Sequence, residues 1–244
     1  MVIFAFTGIE MVGLTAGETK HPEVDLPKAI HAVPVRIALF YVGSMIVIMS
    51  IFPWNQLNPS QSPFVQVFAG IGLPAAADFV NFVVLTSAMS AANSAIFSTS
   101  RTLYILGENK QAPKMFAKLS KQDVPVNGML ASAGIFLAVV ILNFFFPSKI
   151  FVLITGVATM SFIFVWIIIM VTHIKYRKTK DSAKSSYKMP FFPLSSYATI
   201  LFFVAVLVVM VFNKSTQISV IATIIYFALM LVGYTVWQKR KAEN

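Results

Sequence analysis

The chain has 244 residues, 57% of them hydrophobic and 11% charged, with a formal charge of +10 at pH 7 and a mean hydropathy of +0.78. Soluble domains carry about 25% charged residues, so this composition excludes a water-soluble enzyme and marks an integral membrane protein. There is no cysteine, which excludes thiol chemistry and Cys-ligated metals. The basic residues fall between apolar runs as topology signals do, which argues against nucleic acid as a partner.

Apolar segments long enough to cross a bilayer, at about 20 residues each, lie at 1–19, 34–53, 75–105, 126–146, 150–174, 193–212 and 218–237, which predicts seven transmembrane helices. The first carries the most information. It holds no Lys or Arg from Met1 to Thr19, yet it has Glu10 in its middle and glycines at Gly8, Gly13 and Gly17. A carboxylate at mid-membrane depth costs on the order of 2.5–3.5 kcal/mol, and each glycine weakens a helix by up to about 1 kcal/mol relative to Ala. Together they predict an interrupted span whose freed backbone groups hold a polar ligand. The alternative is packing alone. Gly13 and Gly17 have the GxxxG spacing that admits a neighbouring helix, and Glu10 would then be a buried hydrogen-bonding group.

The first connection holds Pro22, Glu23, Asp25 and Pro27, and Pro34 fits the first turn of the second span. The outer loop PWNQLNPSQSP is uncharged, with Trp54 at interface depth, and residues 64–72 read as a short amphipathic helix ended by Gly72 and Pro74. The third span is the most polar. From Thr86 to Ser100 it reads TSAMSAANSAIFSTS, with small residues at Ser87, Ala91, Ala95 and Thr99 and again at Ser90, Ser94, Ser98 and Thr102. These i, i+4 stripes predict close helix packing, and Asn93 needs partners or a wet cavity. Asp78 reads as a helix-start carboxylate. A surface helix is expected around Lys114–Lys118, and a tight turn at 146–148. The fifth span carries a modest polar face of Thr155, Gly156, Thr159 and Ser161. The last two spans hold few polar groups and are expected to face lipid or a second copy.

Alternate connections and the tail hold 17 Lys and Arg residues, against only Lys149 and Lys214 on the other side. That asymmetry predicts a cytoplasmic C-terminus. With seven spans Met1 then lies outside, and a span beginning at residue 1 reads as the C-terminal part of a longer protein or a gene model with a missed start. No GxxxxGK[ST] phosphate loop, HExxH zinc motif or TVGYG filter is present. His21, His31 and His173 sit at or near cytoplasmic span ends, so neither an enzyme nor a metal or cofactor site is expected.

FAFTGIE followed by AGETKHPEVDLPKAI resembles the sixth span and adjoining loop of amino-acid permeases of the amino acid–polyamine–organocation superfamily. The similarity is carried by Glu18, Pro22, Pro27, Ala29 and Ile30, and continues through IVIMSIFPW, SPFVQVFAGIGLPAAADFVNFVVLTSAMSAANSAIFSTSR, APKMFAKLSKQDVP and YKMP. It is most like the bacterial branch that transports D-serine, D-alanine and glycine. The resemblance implies an all-α, leucine-transporter-type inverted five-plus-five repeat with two extra C-terminal spans. Residues 1–174 would be the second repeat, spans six to ten, and 175–244 a cytoplasmic loop and spans eleven and twelve. The first five spans, which include a glycine-rich break that binds the substrate carboxylate, would be a missing N-terminal half.

By the same resemblance, the break falls at Phe4–Gly8. Carbonyls around Phe4, Ala5 and Thr7 would accept from the substrate ammonium, and Phe4 would be an aromatic gate. Glu10 would serve gating or proton coupling, and Asn93 and Ser94 would border the pocket. The implied activity is import of small neutral amino acids across the bacterial cytoplasmic membrane, with H+ as coupling ion and no cofactor. Sodium coupling through Thr86, Ser87 or Ser90 hydroxyls, and a non-transporting membrane subunit, are the alternatives.

Overall fold

The computed structural model describes residues 2–14, 19–58, 61–72, 74–179 and 188–242. Every regular element among them is helical. A 3-10 turn over Val2–Phe6 leads to α1 (Met11–Leu14) and α2 (Pro22–Ile51), followed by the short α3 (Pro63–Gly70) and the long α4 (Pro74–Glu108). The chain continues through α5 (Val126–Phe145), α6 (Pro147–Tyr176), α7 (Leu194–Phe212) and α8 (Gln217–Ala242).

Among the described residues six helices, not the expected seven, are long and apolar enough to cross a membrane. The difference is the first segment, which is not one continuous helix. Its apolar run extends only over Ile3–Gly13, and residues 15–18 lie outside the described residues. The second span also begins earlier than its prolines suggest. Pro22 occupies the first turn, where a missing N–H costs nothing, and Glu23 and Asp25 lie beside the positive end of the dipole. Pro27 and Pro34 therefore fall inside α2, where each deletes a backbone donor, and a π-helical stretch at Ala38–Val42 follows.

Large apolar side chains point outward. Val35, Leu39, Ile46, Phe79, Leu130 and Leu201 are all more than half exposed, as hydrocarbon-facing residues are. Hydroxyls account for much of what is buried, including Ser100, Ser132, Thr155, Thr159, Ser196, Ser219 and Thr223. Lipid is as apolar as leucine, so helices associate through small residues that permit close contact.

Two compact units divide the chain, residues 11–138 and residues 1–10 with 139–244. In the first, Gln66 on α3 clamps the preceding loop. Its Oε1 accepts from the Asn58 N–H at 2.8 Å, and its Nε2 donates to the Asn58 and Gln61 carbonyls at 2.9 and 3.1 Å. Past α4, the expected surface helix is a single 3-10 turn, Lys114–Ala117, held by Asn127 Nδ2 donating to the Met115 carbonyl at 2.6 Å. Gly128 on α5 meets Ser100 on α4, where an added Cβ would lie 3.0 Å from Ser100 Cα. The polar stripe of α4 meets a neighbour only near that end. Residues 81–91 are exposed, and the Thr86, Ser87 and Ser94 hydroxyls donate to carbonyls of their own helix.

In the other unit one face of α6 is buried at Thr155, Thr159, Ile163 and Trp166, a 4-4-3 spacing that keeps all four on one side of a helix. Ser219, Val220 and Thr223 of α8 are buried too, and Gly156 lets Ser219 sit against the α6 backbone. Phe164 and Phe227 extend the contact, with ring centroids 5.0 Å apart. The last span is thus a packing partner within the unit rather than only a lipid-facing helix. Gly156→Ala would drive a methyl into Ser219 Cβ, and overpacking of this kind costs about 1–3 kcal/mol. The thermal midpoint in detergent is expected to fall by about 2–4 °C for each of those kcal/mol. Gly134→Ala, which meets nothing within 4 Å, is the control and should not lower it.

Candidate functional site

The break in the first segment has a definite geometry. The 3-10 turn stops at Phe6, residues 7–10 form a turn, and helix resumes at Met11. Gly8 has φ +101°, a region that side chains with a Cβ rarely adopt, which is why glycine stands there. The Phe4 carbonyl accepts from the Thr7 N–H at 3.2 Å and from Thr7 Oγ1 at 2.8 Å. Continuing the 3-10 ladder would bring the Gly8 N–H onto the Ala5 carbonyl. Instead the Gly8 N–H turns to Glu10 and donates to both carboxylate oxygens at 3.2 Å. Ala5 is left without that ladder partner.

Glu10 is half-buried and has a second partner far along the chain. The Trp166 indole Nε1–H on α6 donates to Glu10 Oε2 at 3.2 Å. Both partners are N–H donors, so both oxygens act as acceptors. The carboxylate is therefore a latch between the turn and α6.

Phe4, Ala5, Thr7, Gly8 and Glu10 come together within one short stretch, with Phe4, Ala5 and Gly8 exposed and Thr7 half-buried. Asn93 and Ser94 belong to the other compact unit, on α4, and both are exposed. Ser94 Oγ donates to the Ser90 carbonyl at 3.0 Å. Of the family pattern, Gly17 and Glu18 lie outside the described residues. No cluster of three or more metal-ligating side chains occurs among the described residues. His173, near the C-terminal end of α6, has Nδ1 3.4 Å from Ser196 Oγ and meets the Phe192 ring edge-on at 5.3 Å.

A family model described as amino acid permease matches residues 1–244. The chain belongs to the amino acid permease family. Among curated relatives, the chain is 50% identical to the amino-acid permease AapA of Bacillus subtilis (strain 168), over 98% of its own length and 52% of the relative's. It is 47% identical to the probable threonine/serine transporter YbxG of the same organism, over 97% of its own length and 52% of the relative's. It is also 46% identical to the D-serine/D-alanine/glycine transporter of Escherichia coli (strain K12), over 100% of its own length and 53% of the relative's. The chain spans about half the length of the curated relatives it matches. No solved structure matches it significantly. The family is one of transporters rather than enzymes, and this permease is a multi-pass membrane protein by its apolar helices.

Sequence reasoning singled out Glu10 in this permease and missed Trp166. One signal was available: a tryptophan inside an otherwise apolar span has an N–H that needs an acceptor when buried. Glu10 is an acid in need of a donor, so the two needs match.

Proposed function

We propose that this chain is the second, cargo-gripping half of a proton-coupled importer of small neutral amino acids. The observation that carries the reading is the broken backbone at residues 4–10 with the Glu10 carboxylate folded over the break. It is supported by the family and by relatives named for serine, threonine, D-alanine and glycine transport. The fold would be the all-α, inverted five-plus-five kind, with residues 1–174 as the second repeat and the basic loops and C-terminus on the cytoplasmic side.

An amino-acid zwitterion leaves water only where both of its charges are matched, and unwound backbone matches them without adding net charge. The ammonium would be received by the Ala5 carbonyl, with the Phe4 and Thr7 carbonyls beside it. The Thr7 hydroxyl, which donates to the Phe4 carbonyl, can rotate away to free that acceptor. The Phe4 ring, 37% exposed, would close over a small cargo.

Glu10 would carry the coupling proton. When a proton from the outer side binds the carboxylate, its negative charge is lost, its hold on the Gly8 and Trp166 N–H groups weakens and the turn is released. When the site opens inward the proton leaves to the cytoplasm, and the Gly8 N–H closes back onto the carboxylate. No cofactor enters the cycle.

Uptake of labelled glycine or D-alanine by vesicles carrying the full-length protein tests this reading. Accumulation should follow an imposed pH gradient and persist when Na+ is fully replaced. Uptake that needs Na+ and ignores the pH gradient would overturn proton coupling and point to the α4 hydroxyls Thr86, Ser87 and Ser90. Binding and transport that are both absent would leave the chain a non-transporting subunit.

A further inference from the structure

Trp166 touches Glu10 and is itself held with little freedom. It is 7% exposed, deep on the face of α6 that also buries Ile163. Its ring lies 6.1 Å from Phe162 and 5.4 Å from Phe203 of α7, both tilted against it. A tryptophan kept for packing alone leaves its N–H to be satisfied wherever chance allows. Here the two flanking rings aim the N–H at one carboxylate oxygen. Its approach to Oε2 fixes where the Glu10 head rests and which oxygen faces α6. The Gly8 N–H, which spans both oxygens equally at 3.2 Å, does not select between them.

We infer that Trp166 is the positioning residue of the proton-coupling step. Its indole N–H holds the Glu10 carboxylate against α6, and Phe203 of α7 braces the indole. The inference rests on the proton-coupling reading of Glu10 and adds two things to it. It gives the carboxylate its second anchor, and it ties α7, one of the two C-terminal spans, to the coupling residue through a single aromatic contact. Trp166 need not touch the cargo, so its loss should change the rate at which the site cycles rather than the affinity for cargo.

The test compares wild type, Trp166→Phe, Glu10→Gln and the double variant in the full-length protein, with the KM and maximal rate of proton-driven uptake read for each and the rate of glycine counterflow, which needs no proton, read for the comparison on the Glu10→Gln background. Trp166→Phe keeps a ring against Phe162 and Phe203 and removes the N–H. Its maximal rate is expected to fall about tenfold, as for loss of one hydrogen bond to a charged group, with KM little changed. If Trp166 acts through Glu10, Trp166→Phe adds nothing on the Glu10→Gln background. A maximal rate that survives Trp166→Phe, or a loss that multiplies with that of Glu10→Gln, overturns the inference while leaving the coupling role of Glu10 standing. If Glu10→Gln itself leaves proton-driven uptake intact, the coupling reading fails and the inference fails with it. Should Trp166→Phe not reach the membrane folded, Trp166→benzothienylalanine replaces only the N–H by sulfur, and the same two readouts decide.

Discussion

Glu10→Gln is expected to abolish accumulation driven by a pH gradient while leaving exchange of cargo across the membrane in place. The substitution keeps the side chain's length and one acceptor oxygen. Its amide nitrogen, however, carries hydrogens toward a site whose two partners, the Gly8 N–H and the Trp166 N–H, are both donors. The latch is therefore weakened as well as made unable to take a proton. One pH unit is worth about 1.36 kcal/mol, which sustains roughly tenfold accumulation for one proton per cargo molecule. In the variant the accumulation ratio should fall to about one, the value for a carrier with no driving ion. Counterflow of labelled against unlabelled glycine should continue, because the backbone that receives the cargo is untouched. Retention of the wild-type accumulation ratio would show that the proton travels elsewhere.

Gly8→Ala should weaken the grip on cargo without crowding any neighbour. Nothing within 4 Å would obstruct the new Cβ, so crowding is not the reason. The cost is the backbone angle: at φ +101° a residue with a Cβ is strained by about 1–3 kcal/mol. The turn is expected to relax to a negative φ, which swings the Gly8 N–H away from Glu10 and toward the Ala5 carbonyl, extending the 3-10 turn over the break. Both parts of the proposed site are then lost at once, the freed carbonyl and the latched acid. Affinity for cargo should drop about 5- to 150-fold, the factor that 1–3 kcal/mol represents. The protein should still fold, because α6 and α8 also pack at Gly156 against Ser219 and at Phe164 against Phe227, none of which belongs to the turn. Isothermal binding of glycine or D-alanine to purified protein, with the thermal midpoint measured in parallel, separates a lost site from a lost fold. Unchanged affinity would mean that the break does not hold the cargo.

How much of this could be read in the residues differs from place to place. The broken first segment was legible because an acid and glycines in an apolar run are costly locally, and local cost shows in sequence. The shape of the break was not. Nothing in the residue order says that the Gly8 N–H leaves its ladder to reach a side chain two residues on. Trp166 was illegible for a plainer reason: its acceptor lies 156 positions away. The role of α8 was hidden because Ser219 is set among isoleucines and valine and gains meaning only against Gly156. The start of α2 was misplaced because Pro22 and Pro27 were assigned to the connection and Pro34 to the first turn of the span. In place, the first sits where its missing donor is free, and the other two are absorbed by a helix long enough to lose two bonds. On α4 the stripe of small residues was legible as a pattern, yet its middle faces outward and its hydroxyls serve their own helix.

The most direct measurement is photo-crosslinking of a small diazirine amino acid to the full-length protein in membranes, followed by peptide mapping. If the unwound backbone grips the cargo, the label falls on the peptide containing residues 2–10 and is displaced by excess glycine or D-alanine. Displaceable label found only on peptides that lack those residues would contradict the account.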